Sequence, residues 1–191
     1  LVIGIAMLSD DVIFGDQPAV ALGGVRDSKQ LLEAKREAMF DEVAAKCQRW
    51  STGLATAAEC DELGMVAAQR LATTRGFAAL GLSLGVTNDF VVDAAIVDGR
   101  WDFVSPHARK VILEVKADVS CVSVSAASVL AKVTRDRMMR ESASDYPQWH
   151  FDTNKGYPSP KHRTALQGYG PSAIHRTSWA FMPNYVPWLI K

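Results

Sequence analysis

A chain of 191 residues with 48% hydrophobic and 22% charged residues has the composition of an ordinary globular domain, large enough to bury a core without staples. Lys+Arg and Asp+Glu both number 21, so the formal charge is zero. That excludes a uniformly basic nucleic-acid binder but leaves room for a local basic groove beside an acidic pocket. Three cysteines without CxxC spacing argue against a disulfide framework or a closed zinc site and fit a reducing, cytoplasmic setting.

The opening run LVIGIAML reads as a buried strand. It is far short of the roughly 18–20 residues a membrane span requires and carries no basic flank or cleavage site. Ser9-Asp10-Asp11 with Gly15-Asp16 and Pro18 signals turns, the aspartates sitting as in a hairpin. Asp27-Ser28 caps a predicted helix over KQLLEAKREAMFDEVAAKC, where Leu31, Leu32, Met39, Phe40, Val43 and Cys47 share one face. STGLATA alternates weakly, as a strand. Glu59-Cys60-Asp61-Glu62 opens a second helix through Leu63, Val66 and Leu71 to about Leu80. FVVDAAIVDG is a buried strand ending in Gly99, and Val111–Leu113 a short one. SVSAASVLAKVTRDRMMRESASDY is a third long helix whose small residues permit close packing, and from Pro147 onward Gly, Pro and aromatics dominate. Strands alternating with helices predict an α/β fold with a mixed sheet flanked by helices.

Asp98 closes a buried strand, placing a carboxylate at the sheet edge where α/β proteins build sites, although Asp-Gly is also a common turn pair. Asp118 is expected on a loop before the third long helix. Two converging carboxylates repel unless cations lie between them, and Mg²⁺ is held by one or two carboxylates with substrate phosphates and water. Two such ions would want a further carboxylate pair; Asp10-Asp11 comes nearest, and Asp93 is expected to pair with a neighbour. The four histidines share no metal spacing, the five tryptophans are scattered as packing residues, and no Gly-rich phosphate loop follows the first strand.

RDSKQLLEAKREAMFDEV, VDG at Val97–Gly99, SVSAASVLAKVTRDRMM after Asp118, NKGYPSPKH at Asn154–His162 and GYGPSAIHRTSWA at Gly168–Ala180 resemble, in order, the motifs of type 2 ribonucleases H, the ribonuclease HII family. The resemblance runs from Leu1 to about Pro183. It implies a single ribonuclease-H-like domain over 1–191 with a substrate-covering helix and loop segment at 146–191. It also implies a Mg²⁺- or Mn²⁺-dependent endonuclease that hydrolyses RNA in RNA–DNA hybrids and cuts 5′ of single ribonucleotides in duplex DNA by a two-metal mechanism. Asp98 and Asp118 carry over as catalytic metal ligands. Tyr157 carries over as the ring that stacks on a deoxyribose beside the ribonucleotide. By their charge, Lys29 reads as a phosphate or carboxylate partner, and Lys132 and Arg176 as nucleic-acid backbone contacts, the alternative being surface salt bridges. The family's DEAGRG motif, with two further carboxylates on the central strand, has no counterpart. A truncated, inactive monomer without membrane partners is therefore expected, the alternative being a non-catalytic hybrid- or DNA-binding module of the same fold.

Overall fold

The computed structural model describes residues 1–14, 32–86 and 90–189. They divide into two compact units: 2–54 with 69–134, and Leu1 with 55–68 and 135–191.

In the first unit the apolar opening run forms β1 (Val2–Leu8), paired antiparallel with β2 (Cys47–Leu54) from Val2↔Leu54 to Leu8↔Cys47. Asp10 and Asp11, expected in a hairpin, instead open a short helix, α1 (Asp10–Phe14). The Ser9 carbonyl accepts from the amides of Val12 and Ile13, and acidic residues in a first helical turn suit the local dipole. The predicted cap at Asp27-Ser28 lies outside the described residues. The helix it was to open is α2 (Glu33–Lys46), and Cys47, expected to end it, begins β2. That strand starts before STGLATA because Trp50 turns inward, edge-on to Phe40 at 5.5 Å.

The second predicted helix is α3 (Ala57–Ser83), interrupted at Gly64, whose φ of 76° and ψ of 161° only glycine adopts readily. β3 (Val92–Asp98) and β4 (Ala108–Glu114) run parallel, Ile96 beside Ile112 and Asp98 beside Glu114. A short helix α4 (Ala117–Ser120) leads into α5 (Val122–Glu141). Among the described residues the strands therefore form two pairs, one antiparallel and one parallel, with no hydrogen-bonded ladder between them.

Helices cover both faces of the β1–β2 pair at very short range. A Cβ on Gly4 would lie 2.2 Å from the Ala127 carbonyl oxygen of α5, and one on Gly53 would lie 1.7 Å from that of Ala72 in α3. On the α5 face, Leu8, Val12, Met39, Phe40 and Val43 pack with Ala126, Val129, Leu130 and Val133. On the α3 side Phe77 packs with Val97, Val104, Ala108 and Ile5.

The second unit holds the first turns of α3, the end of α5 and several short elements. These are a 3-10 turn (Pro147–Trp149), α6 (Phe151–Asn154), α7 (Pro160–Tyr169), α8 (Met182–Tyr185) and a last 3-10 turn (Pro187–Leu189). Thr56 and Glu59 form a reciprocal capping box at the start of α3, and Ser159 caps α7 ahead of Pro160. Leu166, Met182 and Val186 make its apolar centre.

Gly53→Ala should lower stability to urea by about 1–3 kcal/mol, because backbone and not a flexible side chain blocks the added methyl. Gly168→Ala, inside α7 with open space around it, should be neutral or stabilising. Equal midpoints for the two variants would contradict the close packing of β2 on α3.

Candidate active site

Asp98 stands exposed at the end of β3, and the Gly99 amide continues the pairing past it by donating to the Glu114 carbonyl at 2.9 Å. Lys116, with φ of 61°, then turns the chain back, and the Cys121 amide donates to the Ala117 carbonyl at 2.7 Å to close α4. Asp118 thus sits in the first turn of a helix and not on a loop as predicted, and it is 2% exposed. The Ala117 amide donates to Oδ1 of Asp98 at 3.1 Å, so one hydrogen bond ties the strand-end carboxylate to the residue before the buried one.

Asp98 also lies at the rim of a cavity of about 660 Å³. It is lined mainly by β1 from Val2 to Leu8, by Val92 and Ala94 to Asp98 of β3, by Gln69, Thr73, Phe77 and Leu80 of α3, and by Ser123, Val124, Ala127, Ser128 and Ala131 of α5. Among the described residues β1 pairs with β2 alone and β3 with β4 alone, so within that set each presents an unpaired edge on the other side. A space with strand edges along it and helices on both faces has the shape of an extended segment. No local sequence pattern signals it, since β1 and β3 read as ordinary buried strands.

The donor chemistry suits Mg²⁺ or Mn²⁺: both carboxylates are hard oxygen ligands, one exposed at the end of β3 and one buried in α4. Among the described residues no group of three or more His, Cys, Asp or Glu is arranged to hold a metal ion. Glu114, beside Asp98 in the parallel register, is a carboxylate that sequence reasoning missed. Asp93 pairs with Arg109 at 2.7 Å on the surface, as expected. Lys132 lies half-buried on α5, and Lys29 falls outside the described residues. The three cysteines are free, and burial pushes the Cys47 thiol up to about 11.

In the second unit Tyr157 is 55% exposed, with the Arg135 guanidinium 5.1 Å from its ring centre. Arg176 lies 3.7 Å over Trp179. His162 and His175 form a relay whose tautomers its partners fix. The Ser172 amide donates to Nδ1 of His175 at 2.9 Å, so Nε2–H of His175 must donate to Nε2 of His162 at 3.2 Å. Nδ1–H of His162 then donates to the Trp149 carbonyl at 3.0 Å.

Strand pairs covered by helices, with an aspartate at a strand end and a buried one in the short helix that follows, make a mixed α/β domain, and its solved neighbours are of the ribonuclease-H-like class. The chain is similar to the crystal structure of ribonuclease H2 from Pyrococcus horikoshii OT3, with a TM-score of 0.73 and 26% identity, covering 100% of this chain and 91% of that one. It belongs to the ribonuclease HII family of endoribonucleases, whose profile, Ribonuclease HII, matches residues 12–182. It is 41% identical over 166 residues to ribonuclease HII of Streptomyces avermitilis, covering 86% of this chain and 67% of that protein. To ribonuclease HII of Streptomyces griseus subsp. griseus it is 42% identical over 169 residues, with the same coverage of 86% and 67%.

Burial lowers the pKa of both relay histidines from the ordinary 6.5, that of His175 to about 4, and the His162 charge adds to the effect on His175. Between those values the unfolded chain binds more protons than the fold. The relay's stabilisation is therefore complete above pH 6.5 and lost as pH falls toward about 4, amounting to about 2–3 kcal/mol. Urea midpoints taken from pH 7 to pH 4.5 should fall for the parent chain and much less for His175→Phe; parallel curves would contradict the relay.

Proposed function

We propose that this chain is the scaffold of an endonuclease acting on RNA in RNA–DNA hybrids and 5′ of single ribonucleotides in duplex DNA, and that residues 1–191 alone do not cleave. The observation that carries this reading is the cavity whose unpaired strand edges end at Asp98. Asp98 and Asp118 supply a carboxylate pair, and a two-metal site needs more oxygen ligands than these give. An extended segment seated between β1 and β3, in this polypeptide or another, would complete both ladders. Covered on both faces by α3 and α5, it would read as a nearly continuous apolar run. Carboxylates at its end beside Asp98 would complete the site.

Asp98 and Asp118 would hold the divalent cations, which supply Lewis-acid polarisation of the scissile phosphodiester and neutralise charge on its oxygens. The Ala117 amide fixes the Asp98 carboxylate toward that site, and burial fixes Asp118. Residues 146–191 are the substrate-covering segment, Tyr157 presenting its ring to the sugar beside the ribonucleotide. Lys29, Lys132 and Arg176 contact the nucleic-acid backbone. The three free cysteines suit a reducing cytoplasm, and no described helix is long and apolar enough to cross a membrane. We take the working form to be a monomer.

The test uses a labelled DNA duplex carrying one ribonucleotide, with Mg²⁺ or Mn²⁺. The chain of residues 1–191 should leave it intact. The same chain extended by a strand bearing DEAGRG should cut it, and Asp98→Asn or Asp118→Asn in that longer chain should abolish cutting. Cleavage by residues 1–191 alone would overturn the requirement for a further strand. Salt-dependent hybrid binding by both chains with cleavage by neither would favour a non-catalytic binding module.

A further inference from the structure

Tyr157 follows two consecutive left-handed residues, Lys155 with φ of 51° and Gly156 with φ of 78°. Glycine takes that region readily, but a lysine stays there only where its surroundings hold it. Here they do. Lys155 is 5% exposed, and its Nζ donates back to the Asp152 carbonyl. Asn154, also buried, ties the same turn through both ends of its side-chain amide. Oδ1 accepts from the Gly156 amide at 2.7 Å, and Nδ2 donates to the Trp149 carbonyl at 2.6 Å. The Tyr157 amide then donates to the Asn154 carbonyl at 2.8 Å, and the Ser159 amide to the Tyr157 carbonyl at 2.7 Å. The backbone that carries the tyrosine is thus held from α6.

The ring is held from α5. Arg135 lays its guanidinium over it, 5.1 Å from the ring centre, and the buried Asp136 accepts from that guanidinium at 3.2 Å. A Cβ on Gly156 would lie 3.4 Å from Nη2 of Arg135 and 3.3 Å from Cε of Met139, so the turn packs directly on α5. With Arg135 on one face, contact with a ligand is left to the other, and Tyr157 stays 55% exposed. Holding an exposed ring from two elements buries little apolar area, so the arrangement points outward, to a ligand. A ring fixed before binding loses little entropy on meeting a sugar, and its selectivity follows its angle, because a displacement of about 1 Å is enough to lose the contact.

We propose that Arg135 and Asn154 are positioning residues that set the angle of the Tyr157 ring, and that this fixed angle makes the protein prefer a ribonucleotide junction over plain DNA. Neither side chain touches the nucleic acid: Arg135 stands behind the ring and Asn154 beneath the turn. The inference rests on the reading of Tyr157 as the ring beside the ribonucleotide and deepens it by naming what makes that ring selective.

The experiment measures the affinity of residues 1–191, by fluorescence anisotropy in EDTA, for a DNA duplex carrying one ribonucleotide and for the same duplex in DNA alone. Its readout is the ratio of the two affinities. Tyr157→Ala should bring the ratio to about 1, and Tyr157→Phe, which keeps the ring, should preserve most of it. Arg135→Lys keeps the charge without the planar group, and Asn154→Ala releases the turn. Each should lower the ratio about threefold while affinity for the all-DNA duplex stays parent-like. A general loss of structure or of phosphate contact would lower both affinities together and leave the ratio unchanged. Melting followed by circular dichroism identifies variants whose fold is intact, and Arg135→Lys carries the test where Asn154→Ala does not fold. A parent-like ratio for both positioning variants, with Tyr157→Ala reducing it, would overturn the positioning alone. Absence of any preference in the parent chain, or a ratio unchanged by Tyr157→Ala, would overturn the reading of Tyr157 and the positioning with it.

Discussion

Backbone amides and carbonyls along a buried strand must find partners, and this requirement governs what the first unit can do. Among the described residues β1 and β3 each satisfy one edge, against β2 and β4, and both line the same cavity. Helices close both faces so tightly that Gly4 and Gly53 have no room for a methyl group. A polar backbone edge left unpaired in such surroundings costs about 1–3 kcal/mol per group, and a domain holds only about 5–15 kcal/mol in all. A segment that fills the cavity therefore adds stability and site chemistry in one step, because Asp98 stands at the end of one of the edges it would pair with.

The site follows from the same layout. β3 delivers Asp98 to the sheet edge, and the parallel ladder with β4 holds it there. The chain returns through Lys116 so that the Ala117 amide meets Asp98 while Asp118 turns inward. The second unit relies more on polar networks. Its small apolar centre is supplemented by the histidine relay and by the Asp61 carboxylate, which clamps Thr177 and Ser178 by accepting from their amides and hydroxyls; both depend on protonation state and not on buried area.

Residue types and local order were legible in the sequence. The strand-end Asp98, the small-residue helix after Asp118, the turn tyrosine and the clean alternation of strands and helices could all be read from pattern. Asp118 was misplaced because a four-residue helix opened by a left-handed lysine has no periodicity to detect. Asp10 and Asp11 were read as turn residues, yet the Ser9 carbonyl gives them a helix to begin. No single segment shows the cavity, because it depends on which strands are neighbours; what pointed to it was the lack of a counterpart to the central DEAGRG strand of the family the motifs resemble. Arg176 was singled out for its charge. The clamp that Asp61 puts on the neighbouring Thr177 joins residues more than a hundred positions apart, beyond the reach of any window of sequence.

Amide hydrogen exchange along β1 and β3 tests the central claim most directly. In residues 1–191 alone, amides directed at β2 or β4 should be protected, while the alternate amides, directed at the cavity, exchange far faster. Those alternate amides should become protected when a strand is supplied. Uniform protection of consecutive amides in β1 and β3 of the chain alone would show both edges already paired and would contradict the account.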